Sequence, residues 1–235
     1  NRHFSTYDAQ SEISALNATA TTEPLVVSAR FRGLVATAME VSSATGGAFD
    51  ITVGPLVEAW GFGRGAAGTN PIPQPETISA LRSAVGYWKL ELGADGRSVR
   101  KAVAQLQLDV NAIAPGLAVD LIAERFEALG CHDYLVELGG EVRARGRSPA
   151  GRPWRVAVEA PLSGERKPYA LLELDNRSVS TSGDYRAFRE VNGRRLSHTI
   201  DPRTGAPVTH ALASVSVVHP SAALADAYAT ALMVL

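Results

Sequence analysis

Cysteine is almost absent from this chain of 235 residues: Cys131 stands alone, so no internal disulfide can form and no cysteine cluster can hold zinc. Long apolar runs are missing too. None approaches the ~20 residues of a membrane-spanning helix, and no charged start followed by an apolar middle marks a signal peptide. Excess charge of either sign is also lacking, with 23 Lys and Arg against 24 Asp and Glu and a formal net charge of −1. Nucleic acid or an anionic membrane would call for a basic stripe, so both are disfavoured as partners. Lysine is scarce, limited to Lys89, Lys101 and Lys167. What remains is 46% hydrophobic with a mean hydropathy of +0.00 and no low-complexity tract, the composition of a globular chain with a sizeable core. The chain starts at Asn1 and stops at Leu235 inside an apolar segment. The expectation is one domain over residues 1–235, truncated at both ends.

The class expected is α+β. Apolar residues at helical spacing from Glu23 to about Ser43, stopped by Gly46-Gly47, predict a long amphipathic helix. Phe49 to Val53 reads as a short extended piece, and Gly54-Pro55 opens a helical turn reaching Trp60. A Gly/Pro-rich loop is expected from Ala66 to Pro75, a helix over Thr77–Ala84, strands around Leu90–Leu92 and Leu106–Val110, and a second helix over Leu117–Leu129. Strand-like runs then follow quickly: Tyr134–Leu138, Val142–Ala144, Trp154–Val158, Leu171–Leu174, Ser197–Ile200 and Ser214–Val218. Consecutive strands without intervening helices favour antiparallel pairing. A last helix starts at Ser221, a good N-cap residue.

That last helix is the most informative segment. Around Asp226 it is small and apolar, the composition of an element buried on nearly every face. A buried carboxylate is costly unless it is paired with a cation. Asp226 and Thr230 are four apart, so their oxygens lie one turn apart on one face and could share a hard cation; by spacing alone, the preferred reading is an Asp accepting backbone bonds and a Thr bonded to its own helix. Ser178 to Tyr185 reads as a hydroxyl-rich turn able to cradle phosphate, or as ordinary loop punctuation. His198, at a strand end before the Asp201-Pro202-Arg203-Thr204-Gly205 turn, is a base, a phosphate partner or a structural residue. Gly139-Gly140 lets a backbone approach a ligand or simply turns. Asp109 closes a strand, and Asp120, in the first turns of the next helix, suits an anion site or the helix dipole.

Taken in order, these segments resemble one family closely, the ApbE-type flavin transferases. The resemblance rests on Phe4-Ser-Thr-Tyr7 with Ser11-Glu12 and Leu16-Asn17, Phe49 to Leu56 with Trp60 to Gly63, Asp109 to Asp120, Leu138 to Glu141, Thr181 to Tyr185, Ser197 to Gly205, and Ala225 to Ala231. It implies an α+β fold of two related antiparallel sheet-plus-helix halves, with the flavin in the cleft between them. It implies a magnesium-dependent FAD:protein FMN transferase that moves FMN from FAD onto a Thr or Ser hydroxyl of a target protein and releases AMP. By the same resemblance, Mg2+ is held by Asp226, Thr230 and the Ala112 carbonyl. The flavin is contacted by Tyr7, Ala48, Phe49, Asp50, Asp109, Pro115 and Ile200, and His198 activates the target hydroxyl or meets the phosphates. The chain departs from the family at Pro115, where Lys is usual and where proline offers neither charge nor N–H. Two other readings use the same residues: an FAD pyrophosphatase giving FMN and AMP, and a flavin-binding protein without catalysis. The resemblance further implies a membrane respiratory electron-transfer subunit as target, and the bacterial periplasm or outer face of the inner membrane as location, often as a lipoprotein.

Overall fold

Antiparallel pairing runs through the computed structural model, which describes residues 2–63, 71–162 and 166–235. The fold class is α+β, as expected. The chain forms two units, one of residues 1–110, 189–209 and 234, the other of residues 111–188, 210–233 and 235.

In the first unit, α1 (Glu12–Ala18) is opened by Ser11, whose hydroxyl accepts from the Ser14 N–H at 3.1 Å. The helix expected from Glu23 begins later. Leu25–Val26 form β1, and α2 (Ala29–Ala44) starts after Ser28, whose hydroxyl caps the Phe31 N–H. Helical spacing at Leu25 and Val26 is outweighed by that cap and by pairing with residues 98 and 99. Gly46 and Gly47, at φ 58° and 79°, turn the chain out of α2. The extended piece expected at residues 49–53 is instead a turn of 3-10 helix over Ile51–Val53, because the Asp50 carboxylate accepts the Thr52 N–H at 2.8 Å and caps it. It leads into α3 (Gly54–Ala59). Of the expected loop at 66–75, residues 66–70 lie outside the described residues, and 71–74 enter α4 (Pro75–Arg82) without regular structure.

Strands β2 (Leu90–Leu92) and β3 (Ser98–Lys101) join β1 in an antiparallel sheet of order β1-β3-β2. Leu106–Val110, expected as a strand, is not one. A side chain does the work of a partner strand: the Asn17 amide donates to the Leu108 carbonyl at 2.9 Å, and its Oδ1 accepts the Leu108 N–H at 2.7 Å. The Asp109 N–H donates to the Ile51 carbonyl at 2.7 Å, which lays this segment beside the 3-10 turn. Lys101 is fully buried, and its ammonium donates to the carbonyls of Leu16, Thr19, Ala104 and Leu106 at 3.1, 2.6, 3.2 and 3.3 Å.

The second unit starts with α5 (Ala114–Ala128), followed by the hairpin of β4 (Tyr134–Leu138) and β5 (Glu141–Arg145). Gly139 and Gly140 form the two-residue turn, both at positive φ as such turns demand. A second hairpin, β6 (Trp154–Glu159) with β7 (Pro168–Leu174), precedes β8 (Arg177–Gly183). Ser178–Gly183, read from sequence as a turn, is therefore a strand. Its period-2 pattern is decisive: Val179 joins a core with Val142, Ala144 and Leu174, while Ser178 and Ser180 are buried on the opposite face.

The chain then supplies the first unit with β9 (Phe188–Val191) paired to β10 (Arg194–Ser197), and β11 (Ile200–Asp201) paired to β12 (Ala206–Pro207). The strand expected over Ser197–Ile200 breaks at His198, where the Thr199 N–H donates to the Ser197 hydroxyl at 3.1 Å. Finally β13 (Ser214–His219) completes an antiparallel sheet of order β13-β8-β5-β4 and leads into α6 (Ala222–Val234), whose N-cap is Ser221 as expected. Val119 and Ala123 of α5 pack with Tyr134, Val136 and Ala222, so helices cover one face of the sheet and the β6–β7 hairpin the other. Among the described residues no helix is long and apolar enough to cross a membrane. Cys131, just beyond α5, is exposed.

Replacing Lys101 by Met would take the ammonium donor from four carbonyls, those of the buried Leu16 and Leu106 and the half-buried Thr19 and Ala104. The expected loss is on the order of 2–4 kcal/mol in urea unfolding, and an unchanged midpoint would contradict this account of the cage.

Candidate functional site

The second unit builds its polar centre from small residues. Helix α6 presents Ala222, Ala225, Ala227, Ala229 and Ala231, all fully buried, so it lies close to its neighbours. The approach to α5 is closest at Gly116, where an added Cβ would stand 2.3 Å from the Ala222 carbonyl oxygen. Only glycine fits there. That contact brings the start of α5 against Asp226, whose Oδ2 accepts the Gly116 N–H at 3.2 Å. Pro115 sits in the first turn of α5, where a missing N–H costs no helical bond.

Asp226 is buried, 5% exposed, and Glu141, at the first position of β5, is buried as well. Burial, and then the charge of Glu141, push the Asp226 carboxyl up to about 8. Burial also raises Glu141, although the Ser180 hydroxyl donates to it at 3.4 Å. One turn along α6 the Thr230 hydroxyl meets the Ser182 hydroxyl at 3.2 Å. Carboxylate and hydroxyl oxygens are hard donors, and a buried acid whose proton affinity is raised by burial and by a neighbouring carboxylate also favours a divalent cation. The donor set therefore fits magnesium. Ala112 lies in the turn before α5, four residues ahead of Gly116. No group of three or more His, Cys, Asp or Glu among the described residues is arranged to hold a metal.

The first unit holds a cavity of about 320 Å³ beside Asp50. The Asp50 Oδ1 accepts from the Thr52 N–H and hydroxyl at 2.8 and 2.7 Å, and its Oδ2 accepts the Tyr87 N–H at 2.7 Å. The Thr52 hydroxyl in turn accepts the Gly86 N–H at 2.7 Å. Asp50 thereby joins the turn after α2 to the turn before β2, and those two turns make part of the cavity wall. Burial raises its carboxyl despite these bonds and the nearby Lys89 ammonium. Arg82, Lys89 and Arg203 bring positive charge to the cavity and the exposed Trp88 an aromatic face. Such a lining has the chemistry to meet an aromatic, anionic molecule.

The residues singled out in the sequence fall in both units. Tyr7, Ala48, Phe49, Asp50, Asp109, His198 and Ile200 lie in the first; Ala112, Pro115, Asp226 and Thr230 lie in the second. Ala48, Phe49 and Ile200 are buried side chains, Ile200 within a cluster with Leu56, Trp60 and Val85, so only their backbone is available to a ligand. Tyr7 is 67% exposed. His198 is half-buried and meets Phe62 edge to face, with ring centroids 6.4 Å apart. Sequence reasoning missed Arg82, Trp88, Lys89 and Arg203. Of these only Arg203 stood in a recognisable turn, and the others carry no spacing signal. It also gave Glu141 no role, though a residue directly after a Gly-Gly turn opens a strand.

Comparison with known proteins shows the family. The ApbE family model matches residues 1–235. An FAD:protein FMN transferase of Haemophilus influenzae is 41% identical over the whole chain, which covers 69% of that protein. The apo flavinyl transferase ApbE of Pseudomonas stutzeri superposes with a TM-score of 0.88 at 45% identity, over 99% of this chain and 71% of that one. The flavin transferase ApbE of Vibrio cholerae gives 0.89 at 38% identity, over 100% and 74%. The fold and these relatives define a transferase that handles flavin and acts on a protein substrate. The chain belongs to the ApbE family.

The raised Asp226 carboxyl has a consequence for the metal-free protein. Between its ordinary value of 3.8 and about 8, the native state holds a proton that the unfolded state has lost. The stability that Asp226 contributes is therefore full below 3.8 and is lost as pH rises from there to about 8. In chelator, Asp226→Asn should flatten that slope in thermal melts; an unchanged slope would remove Asp226 as its source.

Proposed function

We propose that the protein transfers FMN from FAD to a Thr or Ser hydroxyl of a target protein, with magnesium required and AMP released. The observation that carries the reading is the buried Asp226 beside Glu141, one turn from the Thr230 hydroxyl, in a chain whose relatives are named FAD:protein FMN transferases. Asp226, Thr230 and the Ala112 carbonyl would hold the magnesium. When bound, the ion offsets negative charge on the pyrophosphate oxygens.

The chain's own residues align, shield and move a proton. His198 accepts the proton of the target hydroxyl as that oxygen bonds to the FMN-side phosphorus. The phosphorus–oxygen bond to AMP breaks, and AMP leaves with the bonding electron pair. The backbone of Ala48, Phe49 and Ile200, with Asp50 and Asp109, meets the flavin, and the exposed Tyr7 covers the ring to exclude water. The cations around Asp50 suit the negative charge of FAD. From the family resemblance the proposal extends to a membrane respiratory electron-transfer subunit as target, and to the periplasm or outer face of the inner membrane as the place of action.

Mass spectrometry of the protein mixed with FAD, magnesium and an acceptor carrying the flavinylation Thr tests this. The expected outcome is a gain of one FMN on the acceptor, with AMP formed, and neither after chelation. AMP and free FMN without any gain would point to hydrolysis, and no AMP at all to a binding protein. Asp226→Ala should abolish turnover. His198→Ala should slow single turnover by roughly 10²–10⁴-fold, and an unchanged rate would take that residue out of proton transfer.

A further inference from the structure

Helix α6 carries Asp226 and Thr230, and its first turn is fastened by a residue that the mechanism above does not use. Asp120 sits in the second turn of α5, too far along to serve its own helix as a cap. Its carboxylate is buried, 6% exposed, and is spent on the start of α6. Oδ1 accepts the Ala222 N–H at 2.9 Å, and Oδ2 accepts the Ala223 N–H at 3.0 Å and the Ser221 hydroxyl at 2.7 Å. Ser221 in turn accepts the Leu224 N–H at 3.3 Å. The first free N–H groups of α6 are thus all met, two of them by a residue 102 or 103 positions away in the chain.

The charge of Asp120 is balanced from the sheet. Arg143 of β5 donates to Oδ1 at 2.6 Å and lies 3.7 Å from Glu127, which also pairs with Arg145 at 2.6 Å. Four residues before Asp120 on the same helix, Gly116 touches Ala222 and donates to Asp226. Two points one turn apart on α5 therefore grip two points one turn apart on α6. A rigid pair of helices joined at two points has a fixed axial offset and a fixed rotation about the axis of α6. Those two quantities decide where the Asp226 carboxylate and the Thr230 hydroxyl stand relative to the entry of α5.

We propose that Asp120 is a positioning residue for the cation site: it locks the first turn of α6 so that Asp226 and Thr230 hold a divalent cation in one preformed geometry. The proposal rests on the reading of Asp226 and Thr230 as cation ligands. Groups that orient ligands typically change metal affinity 10- to 100-fold when removed.

The test is calorimetric titration of magnesium into the chelator-stripped full chain, with melting temperature, hydrogen exchange at Ala222 and Ala223, and FAD affinity measured in parallel. For Asp120→Asn we expect magnesium to bind at least about 10-fold more weakly and those two amides to lose protection. FAD affinity measured without magnesium should change less than about 2-fold, and turnover should recover at saturating magnesium because the ligands remain. A lower melting temperature with unchanged magnesium affinity of the folded protein would make Asp120 structural only and overturn the proposal. Where Asp120→Asn does not fold, Ser221→Ala removes the bond to Asp120 and the cap on the Leu224 N–H while leaving the Asp120 carboxylate on the Ala222 and Ala223 amides; it should weaken magnesium binding about 2- to 5-fold, and no change there also overturns it. Asp226→Asn identifies the level of failure. If that variant binds magnesium as the wild type does, the ligand assignment itself is wrong; if it loses magnesium while Asp120→Asn does not, only the positioning role falls.

Discussion

The contact between Gly116 and Ala222 is the constraint on which the second unit depends. It brings the start of one helix against the start of another at a separation that no side chain could share. The alanines along α6 and the serines along β8 extend the same rule: each surface is small where it meets the other. Close packing of small residues gives little hydrophobic burial per residue, yet it places backbone and short polar groups where long side chains would screen them. The buried acids and hydroxyls of this unit exist at that contact because nothing larger fills the space.

The first unit solves a different problem, how to hold irregular chain in place. Asp50, Asn17 and Lys101 are polar side chains whose partners are mainly backbone groups of segments that form no sheet with one another. Each replaces a strand partner. This explains how Leu106, Leu108 and Val110 can be buried without lying in a strand, and how turns can form part of a cavity wall and still be ordered.

The same devices mark the boundary of what could be read from sequence. Helix α6 was readable to its cap, because Ser221 and an unbroken small apolar run are local signals. The Tyr134–Leu138 strand and the Gly-Gly turn were equally local. Ser178–Gly183 was misread because serine and threonine name turns by composition, whereas the strand is specified by which face lies under α6. Residues 49–53 and 106–110 were misread because a single side chain, Asp50 or Asn17, decides their conformation from elsewhere. In the candidate site, the spacing of Asp226 and Thr230 left two readings open, and the resemblance made them cation ligands. Asp120 did not, since its spacing suggested service to its own helix and its bonds go to another. The Arg82–Lys89–Arg203 lining is assembled from three separate segments and leaves no pattern in any one of them.

The lysine cage carries an implication for chemical probing. Of the three lysines, Lys167 is in the open, Lys89 is half-buried and bonded to the Ser83 and Val85 carbonyls, and Lys101 is wholly enclosed, so an amine-reactive reagent reaches Lys101 only when residues 16–19 and 101–106 part. Acylation at Lys101 is therefore a clock for opening of the first unit. Its rate relative to Lys167 reports how often that part of the protein breathes, without any label or mutation.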